Sequence, residues 1–143
     1  MTSILLIEAK FYSDIADKLA QAAIKEIEES GFSYERVEVP GCFEIPAAIA
    51  MAHKYRDNDF TGYVALGCVI QGETRHFDFI CDSVSQGVMN LGLEYITPVI
   101  FGLLTTNNQQ QAIDRSGGKH GNKGDEAAIT AIKMIDLVNN SSL

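Results

Sequence analysis

The stretch Tyr63-Val64-Ala65-Leu66-Gly67-Cys68-Val69-Ile70-Gln71-Gly72 decides the fold. Eight mostly apolar residues closed by a glycine predict a strand buried on both faces, because a half-exposed strand would alternate apolar with polar positions. Directly after it, Phe77, Ile80, Val84, Val88 and Leu91 recur at helical spacing up to Gly92, which is expected to close the helix. A fully buried strand feeding an amphipathic helix is half of a parallel crossover.

The same alternation extends in both directions. Upstream, the apolar run Ile4-Leu5-Leu6-Ile7 ends at Glu8-Ala9. Ser13 is expected to cap a helix with Ile15, Leu19, Ala22, Ala23 and Ile27 on one side, stopped by Gly31. A second strand runs to Val37 and Val39 and is broken by Pro40-Gly41, and Glu44 and Pro46 open a helix carrying Ile49 and Met51. Downstream come a strand over 99–104, a helical segment over 108–115, a Gly-rich loop over 117–124, and a last helix expected to bury Ala127, Ala131, Met134, Ile135 and Val138. Four apolar strands alternating with amphipathic helices predict a three-layer α/β fold, a parallel sheet flanked by helices through right-handed crossovers. No repeat or linker divides the chain, so residues 1–143 are read as one domain.

Composition narrows the function. The net charge of -8 argues against nucleic acid, whose phosphates are bound by clustered Lys and Arg, yet leaves room for one small phosphorylated ligand in a cleft with a few basic groups. No signal-like N-terminus and no uninterrupted run of about 18 apolar residues is present, so a cytoplasmic address and no membrane partner are expected. Cys42, Cys68 and Cys81 show no close pairing, so neither a disulfide framework nor a metal site is expected, and no cofactor is called for.

In open α/β sheets ligands bind at the carboxyl ends of the strands, where loops and helix N-termini converge. The unusual residues fall there: Lys10-Phe11-Tyr12 after the first strand, Gly41-Cys42-Phe43-Glu44 after the second, Gln71-Gly72-Glu73-Thr74-Arg75-His76 after the third, and Thr105-Thr106-Asn107 after the fourth. Gly72-Glu73-Thr74 before a helix suits an anion cradle, and equally an ordinary helix cap. The P-loop and dinucleotide glycine patterns are absent, so ATP and NAD readings lose their main support. His76, just inside the helix start, is placed either as a structural residue or as a proton shuttle. Phe11 and Phe43 read as core residues or as platforms for a flat heterocycle. Arg115, Lys119 and Lys123 make the segment around Gly117-Gly118 and Gly121-Asn122 basic, which a solvated helix end explains as well as a ligand does. His53, beside Lys54 and Arg56, is expected on a solvated face, and His120 reads either way.

In combination these segments resemble the lumazine synthase family. Val39-Pro40-Gly41-Cys42-Phe43-Glu44-Ile45-Pro46, the run from Ala65 through Gln71-Gly72-Glu73-Thr74-Arg75-His76-Phe77-Asp78, and Gly121-Asn122-Lys123-Gly124 look like its signature segments. Pro98-Val99-Ile100-Phe101-Gly102-Leu103-Leu104-Thr105-Thr106 and Gln111-Ala112-x-x-Arg115 fit between them in the same order. The resemblance implies a flavodoxin-like four-stranded parallel sheet. It implies the condensation of 5-amino-6-(D-ribitylamino)uracil with 3,4-dihydroxy-2-butanone 4-phosphate to 6,7-dimethyl-8-ribityllumazine, phosphate and water. By the same resemblance Phe11 would stack on the pyrimidine, Phe43 and Glu44 would hold the ribityl chain, Gly41 and Cys42 would also bind substrate, and Val69 and Ile70 would meet the ring edge. Gly72, Glu73 and Thr74 would cradle phosphate and His76 would shuttle protons. Phe101, Arg115 and Lys123 would come from a neighbouring subunit, Phe101 to close the pocket and Arg115, assisted by Lys123, to bind phosphate.

The chain departs from the family at Tyr12, where Asn is common, at Gln71, where Arg is common, and at Arg75, where a small polar residue is frequent. The resemblance also implies self-association into pentamers, some of which build icosahedral shells of sixty chains. The short 117–124 loop leans toward the shell, whereas a start almost directly at the first strand leans away from it. A non-catalytic flavin- or lumazine-binding shell protein, which would not need His76, Arg115 and Lys123, and a riboflavin synthase of the related pentameric type are the alternatives.

Overall fold

The computed structural model describes residues 3–56, 59–140 and 143. Its strands and helices alternate as β1 (Ser3–Ala9), α1 (Ser13–Glu29), β2 (Ser33–Val39), a 3₁₀ turn (Cys42–Glu44), α2 (Ile45–Tyr55), β3 (Gly62–Ile70), α3 (His76–Tyr95), β4 (Val99–Thr106) and α4 (Gln109–Asp114). A two-stranded hairpin, β5 (Ser116–Gly118) and β6 (Gly121–Asn122), then leads into α5 (Lys123–Asn139). The four long strands pair in parallel in the order β2-β1-β3-β4, with helices against both faces. This is the expected α/β, flavodoxin-like layer arrangement.

The order explains the sequence patterns. β1 and β3 lie inside the sheet, and Ile4, Leu6, Ile7, Val64, Ala65 and Leu66 are all fully buried, which is why both strands read as continuous apolar runs. β2 is an edge strand, and Glu35, Arg36 and Glu38 face solvent along it, so it carries no such run. On one face of the sheet α1 and α5 seal Leu6, Leu66 and Leu104 under Leu19, Ala23, Ile27, Ala131 and Ile135. On the other, α2 and α3 cover Leu5, Ile7 and Tyr63 with Ile45, Ile49, Val84 and Val88. The first face closes by backbone approach: a Cβ on Gly124 would stand 2.0 Å from the Leu19 carbonyl oxygen, so no side chain fits where α5 crosses α1.

Several local expectations are corrected. Ser13 does not cap α1; it is the first helical residue, Tyr12 holds the cap position, and no side chain there satisfies the helix end. Gly92 does not end α3, which runs on to Tyr95 and turns at Ile96 in the left-handed region (φ 51°), with the Thr97 N–H donating to the Gly92 carbonyl. A glycine is tolerated inside a helix when packing pays the roughly 1 kcal/mol, so it is a weak stop on its own. The 117–124 segment is not one loop, because Asn122 accepts from the Gly124 N–H and opens α5 at Lys123. Met134 and Val138, expected inside, are 41% and 53% exposed, and only the Ala127, Ala131 and Ile135 side of that helix meets the sheet.

Candidate active site

Three of the loops at the carboxyl edge of the sheet converge. Phe11 and Tyr12 follow β1, Gly41 to Glu44 follow β2, and Val69, Ile70 and His76 come from the end of β3 and the start of α3. Together with Cys68, Phe79 and Ile80 they line one hollow of about 630 Å³. That volume lies in the range of small-molecule sites. Phe11 is 75% exposed and Phe43 57% exposed, so neither ring is a core residue, and both present apolar faces to the hollow. The Phe11 ring meets Tyr12 edge-on at 5.0 Å between centroids.

The 3₁₀ turn is pressed close to the sheet. A Cβ on Gly67 would lie 2.8 Å from the Ala9 Cβ and 3.0 Å from the Cys42 Sγ, so glycine there lets the Phe43-bearing loop sit down on β1 and β3. Pro46, in the first turn of α2, fits where its missing N–H is not needed. Burial pushes the Cys42 thiol up to about 12 and the Cys68 thiol up to about 11. Both stay protonated near neutrality and are poor nucleophiles.

The loop leading to His76 is built differently. The Gln71 N–H donates to the Thr106 carbonyl at 2.9 Å, but Gln71, Gly72, Glu73, Thr74 and Arg75 are all exposed. α3 begins at His76 and not at Gly72, and the His76 N–H donates to Thr74 Oγ1 at 3.2 Å. Arg75 holds the cap position without a side-chain cap bond, Thr74 meets only the first helical N–H, and the Gly72-Glu73-Thr74 backbone lies just ahead of the positive end of a 20-residue helix. The Arg75 guanidinium lies over the Phe79 ring at 5.7 Å, on the rim of the hollow.

The remaining candidates are elsewhere on the chain. Arg115 and Lys123 line a second hollow of about 480 Å³ with Thr105, Thr106, Gln111, His120 and Glu126. Arg115 Nη1 donates to the Gln111 carbonyl at 3.1 Å, and the Lys123 N–H donates to the Arg115 carbonyl at 2.9 Å, so the two cations share one backbone corner. Phe101 is half-buried on β4 and faces an apolar groove of about 850 Å³ between α3 and α5. Thus Phe11, Gly41, Cys42, Phe43, Glu44, Val69, Ile70 and His76 are brought together, while Phe101, Arg115 and Lys123 are not part of that hollow. His53 is not on a freely solvated face: its ring stacks on Tyr95 at 3.7 Å and 9°, joining α2 to α3.

Sequence reasoning passed over a charged cluster under the β1–α1 loop. Glu8 is fully buried and takes both Arg36 Nε at 2.7 Å and Arg36 Nη2 at 2.9 Å, with Lys10 Nζ at 3.1 Å. Burial alone would push its carboxyl up, but the hydrogen bonds and charges of Arg36 and Lys10 outweigh that and hold it below its ordinary value. The available signal was a glutamate closing an otherwise apolar strand. Among the described residues no group of three or more His, Cys, Asp or Glu is placed to hold a metal, and no helix is long and apolar enough to cross a membrane.

Comparison with known proteins gives a consistent picture. A family model described as 6,7-dimethyl-8-ribityllumazine synthase matches residues 1–139. A curated 6,7-dimethyl-8-ribityllumazine synthase of Cytophaga hutchinsonii is 47% identical over 133 residues, covering 91% of this chain and 82% of that one. The proteins of the same name from Parabacteroides distasonis and Bartonella bacilliformis are 42% and 44% identical, covering 92% and 94% of this chain and 83% and 88% of their own.

Proposed function

The chain belongs to the 6,7-dimethyl-8-ribityllumazine synthase family, and from that premise we propose how its residues divide the work and how copies of it assemble. The activity of the family is the condensation of 5-amino-6-(D-ribitylamino)uracil with 3,4-dihydroxy-2-butanone 4-phosphate, a transferase step of riboflavin biosynthesis, and this chain is an enzyme of that kind. The observation that carries the residue assignment is the 630 Å³ hollow, where two exposed benzyl rings, a carboxylate and an imidazole face the same space.

In this reading Phe11 stacks on the pyrimidine, and Phe43 and Glu44, with the backbone of Gly41 and Cys42, hold the ribityl chain. Backbone groups of Val69 and Ile70 read the ring edge. Gly72, Glu73 and Thr74 receive the phosphate ahead of α3. The substrate amine attacks a carbonyl, water and phosphate leave, and the ring closes. Each step moves a proton, and His76 at the mouth of the hollow is the group that takes and returns it. Holding the two substrates side by side supplies much of the acceleration, since well-oriented intramolecular reactions reach effective molarities of about 10⁵ M or more.

Arg115, Lys123 and Phe101 serve a hollow on an adjacent copy. Two features support this: the cations and the aromatic hollow are separate on one chain, and the α3–α5 groove exposes Met89, Leu93, Ile96, Met134 and Val138. Large apolar side chains gathered along one groove suit burial against a second copy. We take the unit to be a homopentamer, open to further assembly into a sixty-chain shell, with the whole 143-residue chain acting as one cytoplasmic domain. Light scattering distinguishes pentamer from shell.

Mixing the purified protein with both substrates and following lumazine absorbance tests the reading. Lumazine formation that needs both substrates is expected. Ligand binding without turnover would indicate a binder instead, and riboflavin made from lumazine alone would indicate the other pentameric enzyme.

A further inference from the structure

We propose that Glu8 is a positioning residue for the pyrimidine-binding half of the site, acting through Lys10 to set where Phe11 stands. The inference rests on the assignment of Phe11 as the stacking platform.

Glu8 is costly where it is. It ends the run Ile4-Leu5-Leu6-Ile7 inside the sheet and has no exposed surface. Replacing a buried ion pair by apolar residues of similar volume is often neutral or stabilising, so holding the fold together is a poor reason for this group. Its geometry suggests another. Both carboxylate oxygens are taken by the Arg36 guanidinium of β2, and Oε1 also lies 3.1 Å from Lys10 Nζ. The same Lys10 nitrogen donates to Asp17 Oδ1 at 2.5 Å, one turn into α1, and sits 3.8 Å from Glu38 Oε1 on β2. The Lys10 N–H donates to the Val39 carbonyl at 3.0 Å, the residue before Pro40-Gly41.

Lys10 is therefore fixed at its backbone and at its ammonium to β1, β2 and α1 together, and Phe11 is the next residue. On the other side of Phe11, α1 starts without a side-chain cap at Tyr12, which leaves the Lys10–Asp17 pair as a side-chain tether on the helix entry. Phe11 itself is mostly exposed, so the backbone at Lys10 and Tyr12 largely decides its position. Because Val39 leads directly into the Phe43 loop, the cluster also sets the spacing between the two rings that face the hollow.

The test is equilibrium titration with 5-amino-6-(D-ribitylamino)uracil alone, together with the KM for the sugar phosphate. Glu8→Gln keeps the shape but removes the charge and turns a donor toward Arg36 and Lys10. It is expected to weaken pyrimidine binding about tenfold, in line with the cost of a small misplacement of a contacting group, and to leave the KM for the sugar phosphate within about twofold. Lys10→Met leaves the Glu8–Arg36 pair intact and is expected to show the same selective loss, with Lys10→Arg recovering most of it. It carries the test if Glu8→Gln does not fold. The decisive comparison is a double-mutant cycle: in a Phe11→Ala background, Glu8→Gln or Lys10→Met should weaken pyrimidine binding no further. Unchanged affinity in the single variants, or a penalty that persists in full without the Phe11 ring, overturns the positioning role. If Phe11→Ala alone leaves pyrimidine binding untouched, the assignment of Phe11 fails and takes this proposal with it. A normal Phe11→Ala loss with silent Glu8 and Lys10 variants defeats the proposal alone.

Discussion

The loop after β1 and the loop after β3 sit at the same edge of the same sheet, and they are made in opposite ways. The first is three residues long and pinned by the Lys10 N–H to Val39, by Lys10 Nζ to Glu8 and Asp17, and by the Ala16 N–H to the Tyr12 carbonyl. The second runs from Gln71 to Arg75, entirely exposed, with Thr74 receiving the His76 N–H, and a Cβ on Gly72 would meet no atom within 4 Å. On the residue roles proposed above, a chain that fixes the platform for a flat ring and leaves the anion-facing loop open has prepared one half of its site in advance. The other half is completed by what arrives there.

The sharpest test of that contrast is catalytic. His76 stands at the end of the open loop, and His76→Ala is expected to slow turnover by roughly 10² to 10⁴-fold while pyrimidine titration stays close to wild type. A parallel loss of pyrimidine binding would show that the two loops are one unit. Next in size is Arg115→Ala, which removes a charged hydrogen-bond donor worth about 1.5 to 3 kcal/mol. It should raise the KM for the sugar phosphate by roughly ten- to a hundredfold and spare the pyrimidine, as initial-rate kinetics in each substrate would reveal.

Glycine substitutions probe the same difference through stability. Gly67→Ala forces a Cβ against Ala9 and Cys42 under the closed side of the hollow and should cost about 1 to 3 kcal/mol, the usual range for overpacking, read as a lower urea midpoint. Acid supplies a test specific to the pinned loop. The Glu8 carboxyl is held below its ordinary value of 4.5, so the stabilisation from its ion pairs is fully present above that value and is lost as pH falls through the lowered one. The melting temperature of the wild type should consequently drop more steeply below pH 4.5 than that of Glu8→Gln. Gly72→Ala should be the mildest change, within about 0.5 kcal/mol in stability. Any effect it has should appear in the sugar-phosphate KM, where a methyl would meet an approaching anion.

Much of this was readable from residue order. The buried strands announced themselves as apolar runs because both of their faces are covered, and the strand ends named the loops that matter. Where the reading slipped, tertiary contacts had overridden a local signal. Gly92 looked like a stop but lies within α3, and the turn fell to Ile96. Ser13 looked like a cap but stands one residue too late, and the helix entry is instead tied by Lys10 and Asp17. His53 looked solvated from its neighbours Lys54 and Arg56, yet it stacks on Tyr95, a residue 42 positions away that no local window includes. Met134 and Val138 matched the helical period, but they stand outside the side of α5 that is buried. Glu8 carried a visible signal, a charge at the end of an apolar run, whose partner Arg36 is apparent only once β1 and β2 pair.

The turn at Ile96 has a consequence beyond its place in the chain. A β-branched residue at φ 51° bears roughly 1 to 2 kcal/mol that glycine would not, and its side chain, 83% exposed on the α3–α5 groove, buries little within one copy to offset it. On the assembly proposed above, that methyl-rich group finds its contacts only across a subunit boundary. The solitary chain would then gain stability from Ile96→Gly, and the oligomer would come apart more easily.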